Sequence, residues 1–391
     1  MSGELLHGVT VLDLASVGPA ARASRWLADY GADVVKIGPV PARSGVQITP
    51  PFFSYSAHRR MKRVLLDVKA PAGREVFLTL AATADVVIES FRPGVVDRLG
   101  IGHPAVAAAN PGVVYCSTSG FGQSGPRSQQ AGHDLNYLAA GGFLHLTGKD
   151  AKGRPPIPGA TVADSAGGGM HAVIAILAAL RHRDRPGGDG LGRHLDVAVA
   201  DGVLALMALS VDEHLATGDE VEVGANVLLG RYACYDTYQA GDGKWLAVAA
   251  IEPRFWANLC GLLGLDKWAR HQIDDAVQDE IRRDMADVFR TRDRDTWVAE
   301  LAPADTCVSA VLSIPEVVAD EQFAARGAFA DAEHPSYGTF RQVGPVLAGM
   351  APADGPYRVR AADATDTDEL LTAAGLAPDL ISALREQGVV A

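Results

Sequence analysis

Positive charge and cysteine are both scarce in this chain, and each scarcity excludes a class of function. The 35 lysines and arginines are outnumbered by 47 aspartates and glutamates, which gives a net charge of −12. This charge repels nucleic acid and anionic lipid at long range, so an anionic ligand must be bound by a local arginine cluster. The four cysteines have neither metal-ligand spacing nor the density of a secreted disulfide scaffold. We therefore expect reduced thiols and no metal site.

Long apolar runs and a secretion signal are also missing from the pattern. No apolar run approaches the roughly 18 residues of a membrane span, and the N-terminal residues lack a basic stretch followed by an apolar core. We therefore expect a cytoplasmic protein with no membrane partner. What is present, 48% hydrophobic and 21% charged residues, is the composition of a globular protein with a sizeable core. The length of 391 residues exceeds the roughly 100–200 of one ordinary domain, which predicts two domains.

The N-terminal half alternates short apolar runs with helical stretches, which is typical of a parallel sheet wrapped by helices. Strands are predicted at residues 9–14, 32–37, 64–66, 84–88 and 113–116, with a helix at residues 18–30. Two runs rich in alanine and leucine, residues 164–180 and 196–215, predict long buried helices. A β-hairpin at residues 232–249 and charged helices to about residue 301 predict a second, smaller domain. The tail from about residue 329 is predicted to be rich in loops and to end in an amphipathic stretch at residues 366–384.

Residues 120–125 match the G-x-G-x-x-G pattern of dinucleotide-binding turns and follow a predicted strand. Pro126 and a polar stretch come next, where that motif needs a helix and an acidic residue about 20 residues further on. The pattern therefore favours a glycine turn beside a pocket, and a nicotinamide enzyme is the weaker alternative.

Two arginines, Arg92 and Arg98, follow Phe91 at the end of the strand predicted at residues 84–88. A guanidinium group can donate two parallel hydrogen bonds to phosphate oxygens, so this position suits a ligand that carries phosphate. Solvated surface arginines are the alternative interpretation.

Polar residues in glycine-rich surroundings are candidates for chemistry. His133, followed by Asp134, lies between glycine-rich turns, where no packing requirement explains a histidine. Asp164 precedes the glycines Gly167 and Gly168 and a long apolar run, so it is also a candidate N-cap. Glycines weaken a helix, and here they indicate that something approaches the backbone closely. Amides at a helix N-terminus can hold a developing oxyanion.

Four segments resemble, in the same order, the class III CoA-transferase family of the CaiB/BaiF type, and within it the α-methylacyl-CoA racemases; they are residues 119–137, 163–169, 235–238 and 250–253. The resemblance implies a large Rossmann-like α/β domain made from both chain ends, residues 1–215 and 325–391. It also implies a small α+β domain at residues 216–324 and an interlocked homodimer. The implied substrate is an acyl-CoA thioester of lipid metabolism, with no cofactor beyond its coenzyme A.

The resemblance also implies roles for individual residues. His133 and Asp164 correspond to two proton-transfer residues. Glu252 corresponds to the carboxylate that orients the histidine, although sequence spacing alone does not connect the two. The positions that correspond to contacts with coenzyme A are Val17, Phe91, Arg92 and Arg98, with Arg43 as a substitute for a family arginine replaced here by Pro39. The positions that correspond to the acyl pocket or support it are Asp134, Tyr235, Gly167 and Gly168.

Two reactions of this family fit these residues. A racemase that inverts the α-carbon of a 2-methylacyl-CoA needs two bases on opposite faces and donors for the enolate oxygen. A CoA-transferase needs Asp164 as a nucleophile that forms an anhydride and then an enzyme thioester. His133 favours the racemase, because the transferase branch generally lacks a histidine at this position. Ala160 and residues 228–234 depart from the racemase pattern, so a non-catalytic CoA-binding homologue is the third interpretation.

Overall fold

The computed structural model describes residues 4–40, 50–350, 353–361 and 363–391, and the elements given below are those of these residues. The chain divides into two compact units, each made from separate parts of the sequence. The first comprises Met1–Phe143, Ile157–Ala208 and Glu321–Ala391, and the second Leu144–Pro156 and Leu209–Asp320. The segment Leu144–Pro156 therefore belongs to the second unit, whereas the sequence indicates boundaries only near residues 215 and 325.

In the described part of the chain, a parallel sheet of six strands forms the centre of the first unit; they are β1 Thr10–Asp13, β2 Asp33–Gly38, β3 Met61–Leu65, β4 Val86–Glu89, β5 Val114–Ser119 and β6 His194–Ala198. The strand order is β3-β2-β1-β4-β5-β6, and every neighbouring pair is parallel. This is the doubly wound order, in which ligands bind beyond the carboxyl ends of the strands, where the order reverses. The predicted α/β sheet is confirmed.

Helices cover both faces of this sheet, and two hydrophobic cores result. Leu27 of the first helix and Ile176 of the seventh lie in one core, while Phe77 of the second and Ile381 of the last lie in the other. The C-terminal helices therefore complete the core begun by the N-terminal strands. The helices of both units, in the described residues, are α1 Gly18–Asp29, α2 Pro71–Ala81, α3 Val95–Leu99, α4 His103–Ala109, α5 Asp134–Ala140, α6 Phe143–Leu146, α7 His171–Asp184, α8 Val199–Leu206, α9 Ala208–Thr217, α10 Pro253–Leu262, α11 Gln278–Phe289, α12 Arg294–Leu301, α13 Ile314–Ala319, α14 Glu321–Ala325, α15 Thr367–Ala373 and α16 Pro378–Glu386.

The second unit contains an antiparallel sheet of β7 Tyr235–Gln239, β8 Trp245–Ala249 and β9 Val308–Ala310. The first two strands confirm the predicted hairpin. Aromatic residues of the three helices α10, α11 and α12 pack in its core, among them Trp256, Phe289 and Trp297. Single 3₁₀ turns of this unit lie at Val227–Leu229, Asp266–Trp268, Asp275–Val277 and Ala302–Ala304, whereas Ser54–His58 of the first unit is a turn with left-handed backbone at its centre.

Two elements differ from the sequence prediction. The helix predicted at residues 196–215 is wrong at its start, because residues up to Ala198 extend β6 along β5. The tail is also not a loop, since β10 Phe329–His334 and β11 Gly338–Val343 form an antiparallel hairpin. Gly338 allows its turn by adopting φ +70°, and β12 Tyr357–Arg358 adds a parallel strand beside β10.

A long apolar helix runs through the first unit, and it corrects the expectation that no apolar run approaches a membrane span. Its π-helical start, Ala163–Met170, continues into α7, and the combined Ala163–Asp184 is long and apolar enough to cross a membrane. Half of its apolar window is buried inside the protein, and the core helix of a soluble protein passes the same test. Length and composition are therefore weak evidence for a membrane span here.

Candidate active site

The carboxyl ends of β4 and β5 open onto a cavity of about 370 Å³. Its walls include Phe91 and Arg92, which follow β4, and His133 and Tyr137, which lie at and after the start of α5. Because β4 and β5 are parallel neighbours, the segments that leave them begin at the same edge of the sheet. The structure thus brings the predicted phosphate-binding segment and the predicted catalytic histidine to one cavity.

The other residues predicted to contact coenzyme A are placed differently. Val17 precedes α1, where the next N–H, that of Gly18, donates a hydrogen bond to the Tyr55 hydroxyl at 2.9 Å. Arg98 is exposed in α3 and does not line the cavity. Arg43 lies outside the described residues.

His133 occupies the N-cap position of α5. Its backbone is extended, with φ −128° and ψ 178°, and its N–H donates to the side-chain oxygen of Asn136 at 3.0 Å. This capping contact fixes the backbone, while the imidazole stays exposed at the cavity. The exposed imidazole agrees with the expectation that His133 is not required for packing.

Asp164 lies inside the π-helical turn rather than at its cap, so the N-cap interpretation is wrong; Val162 holds that position. The Asp164 backbone N–H donates to the Asp134 carboxylate at 2.8 Å, which ties the turn to the start of α5. That amide is consequently already bound and is not a free donor for an oxyanion. On the other side, the Asp164 carboxylate lies 3.4 Å from the guanidinium of Arg22 on α1.

Burial and three neighbouring charged groups affect the pKa of Asp164. Burial raises the pKa of Asp164 above its ordinary value, and the Asp134 carboxylate raises this pKa further. The positive charge of Arg22 and the interaction with His133 oppose this increase in the pKa. These interactions put His133, Asp134 and Asp164 in one electrostatic cluster, although the two proposed proton-transfer residues are separated by 30 intervening positions in the sequence.

The glycines after Asp164 are explained by helix packing. A Cβ on Gly167 would lie 2.9 Å from the Val199 carbonyl oxygen, and one on Gly168 would lie 2.5 Å from Pro19. The close approach expected from the sequence is therefore made by α8 and α1. A role for the Gly167 and Gly168 amides in holding an oxyanion stays a prediction.

Tyr235 and Glu252 belong to the second unit. Tyr235 is the half-buried first residue of β7, and Glu252 is the exposed residue before α10, followed by Pro253 at the first helical position. Burial and the Glu252 charge raise the pKa of the Cys307 thiol. Glu252 is thus an exposed carboxylate fixed at a helix start, and its action on His133 stays a prediction.

Two residues of the cluster have no counterpart in the sequence predictions. Tyr137 is buried, its hydroxyl donates to the Gly132 carbonyl at 2.6 Å, and its pKa is raised by burial and by Asp164. Its ring excludes any side chain at Gly120, where a Cβ would lie 2.4 Å away. The second is Arg22, which faces Asp164. The glycines that flank Tyr137 were a usable signal in the sequence, whereas nothing marked Arg22.

The dinucleotide alternative does not agree with the fold. Residues 120–125 lead into turns and irregular backbone up to His133, without the helix that the motif requires. The segment contacts the edge strand β6 instead, since the N–H of Gln123 donates to the Asp196 carboxylate at 3.0 Å. Within the described ranges, no group of three or more His, Cys, Asp or Glu could hold a metal ion.

Comparison with known proteins agrees with this architecture. The family model described as CoA-transferase family III matches residues 6–362. Human alpha-methylacyl-CoA racemase is 33% identical over 329 residues, which cover 84% of this chain and 83% of the racemase. Succinate–glutarate CoA-transferase of Agrobacterium fabrum is 30% identical over 352 residues, 84% of this chain and 85% of the transferase. A crystal structure of a CaiB/BaiF family protein from Brucella suis has a TM-score of 0.73 at 27% identity, covering 98% of this chain and 99% of that one. The chain belongs to CoA-transferase family III.

Proposed function

We propose that the protein is an acyl-CoA racemase that inverts the α-carbon of a 2-methylacyl-CoA thioester. The observation that carries the proposal is that His133 lines the cavity that Arg92 also lines, while its neighbour Asp134 accepts the Asp164 N–H at 2.8 Å and so holds Asp164 beside it. Racemisation needs one group to remove the α-proton from one face of the carbon and another to return a proton on the opposite face. The similarity to human alpha-methylacyl-CoA racemase supports this reaction. A cytoplasmic location and a place in lipid metabolism stay predictions.

In this reaction one of the two residues acts as the base. The α-C–H bond breaks, the proton passes to the base, and the electron pair moves into an enolate. The other residue then donates a proton to the opposite face of the α-carbon. The enolate oxygen needs hydrogen-bond donors, for which the Gly167 and Gly168 amides are the candidates.

Incubation with a racemic and a single-enantiomer 2-methylacyl-CoA in heavy water tests this function. The racemase should place one deuterium on the α-carbon while the stereocentre scrambles, and it should need no acceptor acid. Mass spectrometry measures the deuterium, and chiral chromatography of the released acid measures the inversion. Absence of both, with transfer of coenzyme A to an added carboxylic acid, would contradict the proposal.

A CoA-transferase is the second candidate function, and the Arg22 contact supports the ionised Asp164 that it needs. Asp164 would attack the thioester as a carboxylate, and a guanidinium 3.4 Å away stabilises that charged form. The 30% identity to the succinate–glutarate CoA-transferase is in keeping with this route. Hydroxylamine added during turnover would trap the Asp164 acyl form as a hydroxamate, which peptide mass spectrometry detects. An Asp164 adduct without α-deuterium would favour the transferase.

We predict that Arg92→Ala weakens binding of coenzyme A by about 1–3 kcal/mol, because it removes a charge-assisted hydrogen bond to phosphate. Arg92 is exposed at the cavity, so the loss should reflect ligand contact rather than unfolding. Calorimetric titration measures the affinity. Arg181→Ala, at an exposed position of α7, is the matched control for the loss of one positive charge. Unchanged affinity in Arg92→Ala and in Arg98→Ala would remove this segment from the proposed binding site.

We also propose a homodimer in which the second unit helps to complete the site through Tyr235 and Glu252. The helices α8 and α9 support self-association, because α9 has no buried residue and their leucines are strongly exposed. Exposed apolar surface of this kind is typical of interfaces. Light scattering at working concentration measures the mass, and a fully active monomer would contradict the proposal. The exposed leucines are Leu204, Leu206, Leu209 and Leu215, at 49%, 50%, 63% and 75%.

A non-catalytic CoA-binding homologue is the third candidate. Binding of coenzyme A that is abolished by Arg92→Ala, together with no deuterium incorporation and no transfer, would favour it over both enzymes. Ala160 and the segment at residues 228–234 are the positions whose departure from the racemase pattern would then be tested by substitution.

A further inference from the structure

Arg22 contacts the Asp164 segment from the neighbouring helix at two points. One guanidinium nitrogen lies 3.4 Å from the Asp164 carboxylate, and another donates to the Thr161 hydroxyl at 2.7 Å. The guanidinium also lies over the ring of Tyr55, 5.2 Å from its centroid. The Tyr55 hydroxyl in turn accepts the N–H of Gly18, at the start of the helix that carries Arg22. The Arg22 side chain is therefore held in place on three sides.

We propose that Arg22 is a positioning residue that keeps the Asp164 carboxylate ionised and oriented for its reaction. The proposal rests on the proposed role of Asp164 in the reaction of the acyl-CoA. Arg22 itself does not need to touch the substrate, because its contacts with Thr161 and Asp164 are within the protein.

The charges around Asp164 make this role specific to Arg22. His133, Asp134 and Tyr137 face Asp164 from the start of α5, and Arg22 faces it from α1. Burial and the Asp134 charge disfavour the ionised form of Asp164. Among the neighbouring charges that favour this form, that of Arg22 has the largest effect. The other arginine on this face of α1, Arg25, is committed to Asp29. Of these two arginines, Arg22 is therefore the one that faces Asp164.

The transferase needs the ionised form, and so does the racemase for the enantiomer whose α-proton Asp164 removes; for the other enantiomer Asp164 has to donate a proton. As a base, Asp164 accepts the α-proton and forms an O–H bond, and the carbon electron pair remains on the enolate. As a nucleophile, its oxygen lone pair attacks the thioester carbonyl. A protonated Asp164 can do neither, so transfer of coenzyme A, or inversion of the enantiomer whose α-proton Asp164 removes, should fall as pH decreases through the pKa of Asp164.

The test compares Arg22→Gln, Arg22→Lys and Arg181→Gln in the full-length protein. With the enantiomer whose α-proton Asp164 removes as substrate, loss of the Arg22 charge should raise the pKa of Asp164 and move the acid limb of the kcat/KM profile upward by about one pH unit. Arg22→Lys keeps the charge, so its acid limb should stay near that of the wild type while kcat falls, because lysine lacks the planar fork that binds Thr161 and Asp164 together. Arg181 lies roughly 25 Å along the same helix from Asp164, and its replacement should leave the limb unmoved.

A readout without turnover separates this inference from the proposed function. Carbodiimide activates protonated carboxyl groups, and peptide mass spectrometry gives the fraction of Asp164 coupled to an added amine at each pH. The midpoint for Asp164 should rise in Arg22→Gln and not in Arg181→Gln, whether or not any acyl-CoA is turned over. If the midpoint and the acid limb both stay unchanged in Arg22→Gln, the inference is overturned. A raised KM for the substrate with an unmoved midpoint would also overturn it, because Arg22 would then bind substrate.

Discussion

Replacing His133 with alanine should reduce inversion of a 2-methylacyl-CoA by about 10²- to 10⁴-fold, the contribution of a positioned acid–base group. The imidazole is exposed at the cavity, and the variant keeps the backbone hydrogen bond from residue 133 to the Asn136 side chain, so it should fold. Proton exchange by Asp164 should survive in the same His133→Ala variant. With that residue present, exchange of the α-proton on the face that Asp164 serves should continue, because one base remains. Deuterium uptake without inversion, measured by mass spectrometry and chiral chromatography, is the expected signature.

The control for this variant is His7→Ala, which removes another exposed histidine of the same unit. It should leave inversion and exchange at the level of the wild type. Equal inversion by the wild type and by His133→Ala would contradict the two-base mechanism. Full transfer of coenzyme A by His133→Ala, with an Asp164 hydroxamate trapped, would instead favour the transferase, in which the histidine only positions the substrate.

The parallel sheet could be predicted because its central strands are buried on both faces. Val86, Val87 and Ile88 of β4 are all fully buried, so these three positions form an uninterrupted apolar run. The edge strand β6 could not be recognised in the same way. Its sequence alternates polar and apolar residues, His194 is exposed, and α8 follows at Val199 without a turn residue that separates strand from helix. The apolar run therefore predicts one long helix from the wrong starting point.

Some residues of the candidate site could likewise be predicted from the sequence, and others could not. His133 and Asp164 could be selected because each is a polar residue in a glycine-rich segment, where packing does not require it. Arg22 could not be selected, because it lies 142 positions from Asp164 in a regular helix, where an arginine that faces solvent gives the same pattern. The ion pair exists only because α1 packs against the π-helical turn. Sequence indicates which residues have unusual surroundings, and packing decides which of them meet.

Glu89, the last residue of β4, is a buried carboxyl directly beneath the Phe91 segment. Its side chain is 1% exposed, and its carboxylate accepts the Phe91 N–H at 2.7 Å. The pKa of Glu89 is raised from 4.5 to about 7, mainly by burial and to a smaller extent by the charge of Asp97. Hydrogen bonds from Ser117 and from the Phe91 backbone oppose this increase in the pKa. Tyr115 and Cys116 of β5 lie near the same carboxyl, and burial together with Glu89 raises the pKa of both.

We expect Glu89→Gln to remove a pH dependence of stability that this carboxyl imposes. Because the pKa of Glu89 is about 7 in the folded protein and 4.5 as its ordinary value, the folded state binds the proton more tightly between these limits. The free energy of unfolding of the wild type should therefore fall as pH rises through this window and stay constant above it. A pKa shift of this size corresponds to at most about 3 kcal/mol. Glutamine keeps an oxygen for the Phe91 N–H and never ionises, so the variant should lack this decrease.

Denaturant unfolding at several pH values from below about 4.5 to above about 7 measures this difference, followed by a probe in the first unit such as Trp26. Glu75→Gln is the matched control, because it makes the same substitution at an exposed position of α2. The free energy of unfolding of Glu75→Gln, plotted against pH, should run parallel to that of the wild type, since an exposed ion pair contributes little to stability. The difference between Glu89→Gln and wild type should be smallest at the acid end and largest at the neutral end. A constant difference across the window would mean that Glu89 has the same proton affinity folded and unfolded, and the Phe91 N–H would then be bound to a carboxylate above about pH 4.5.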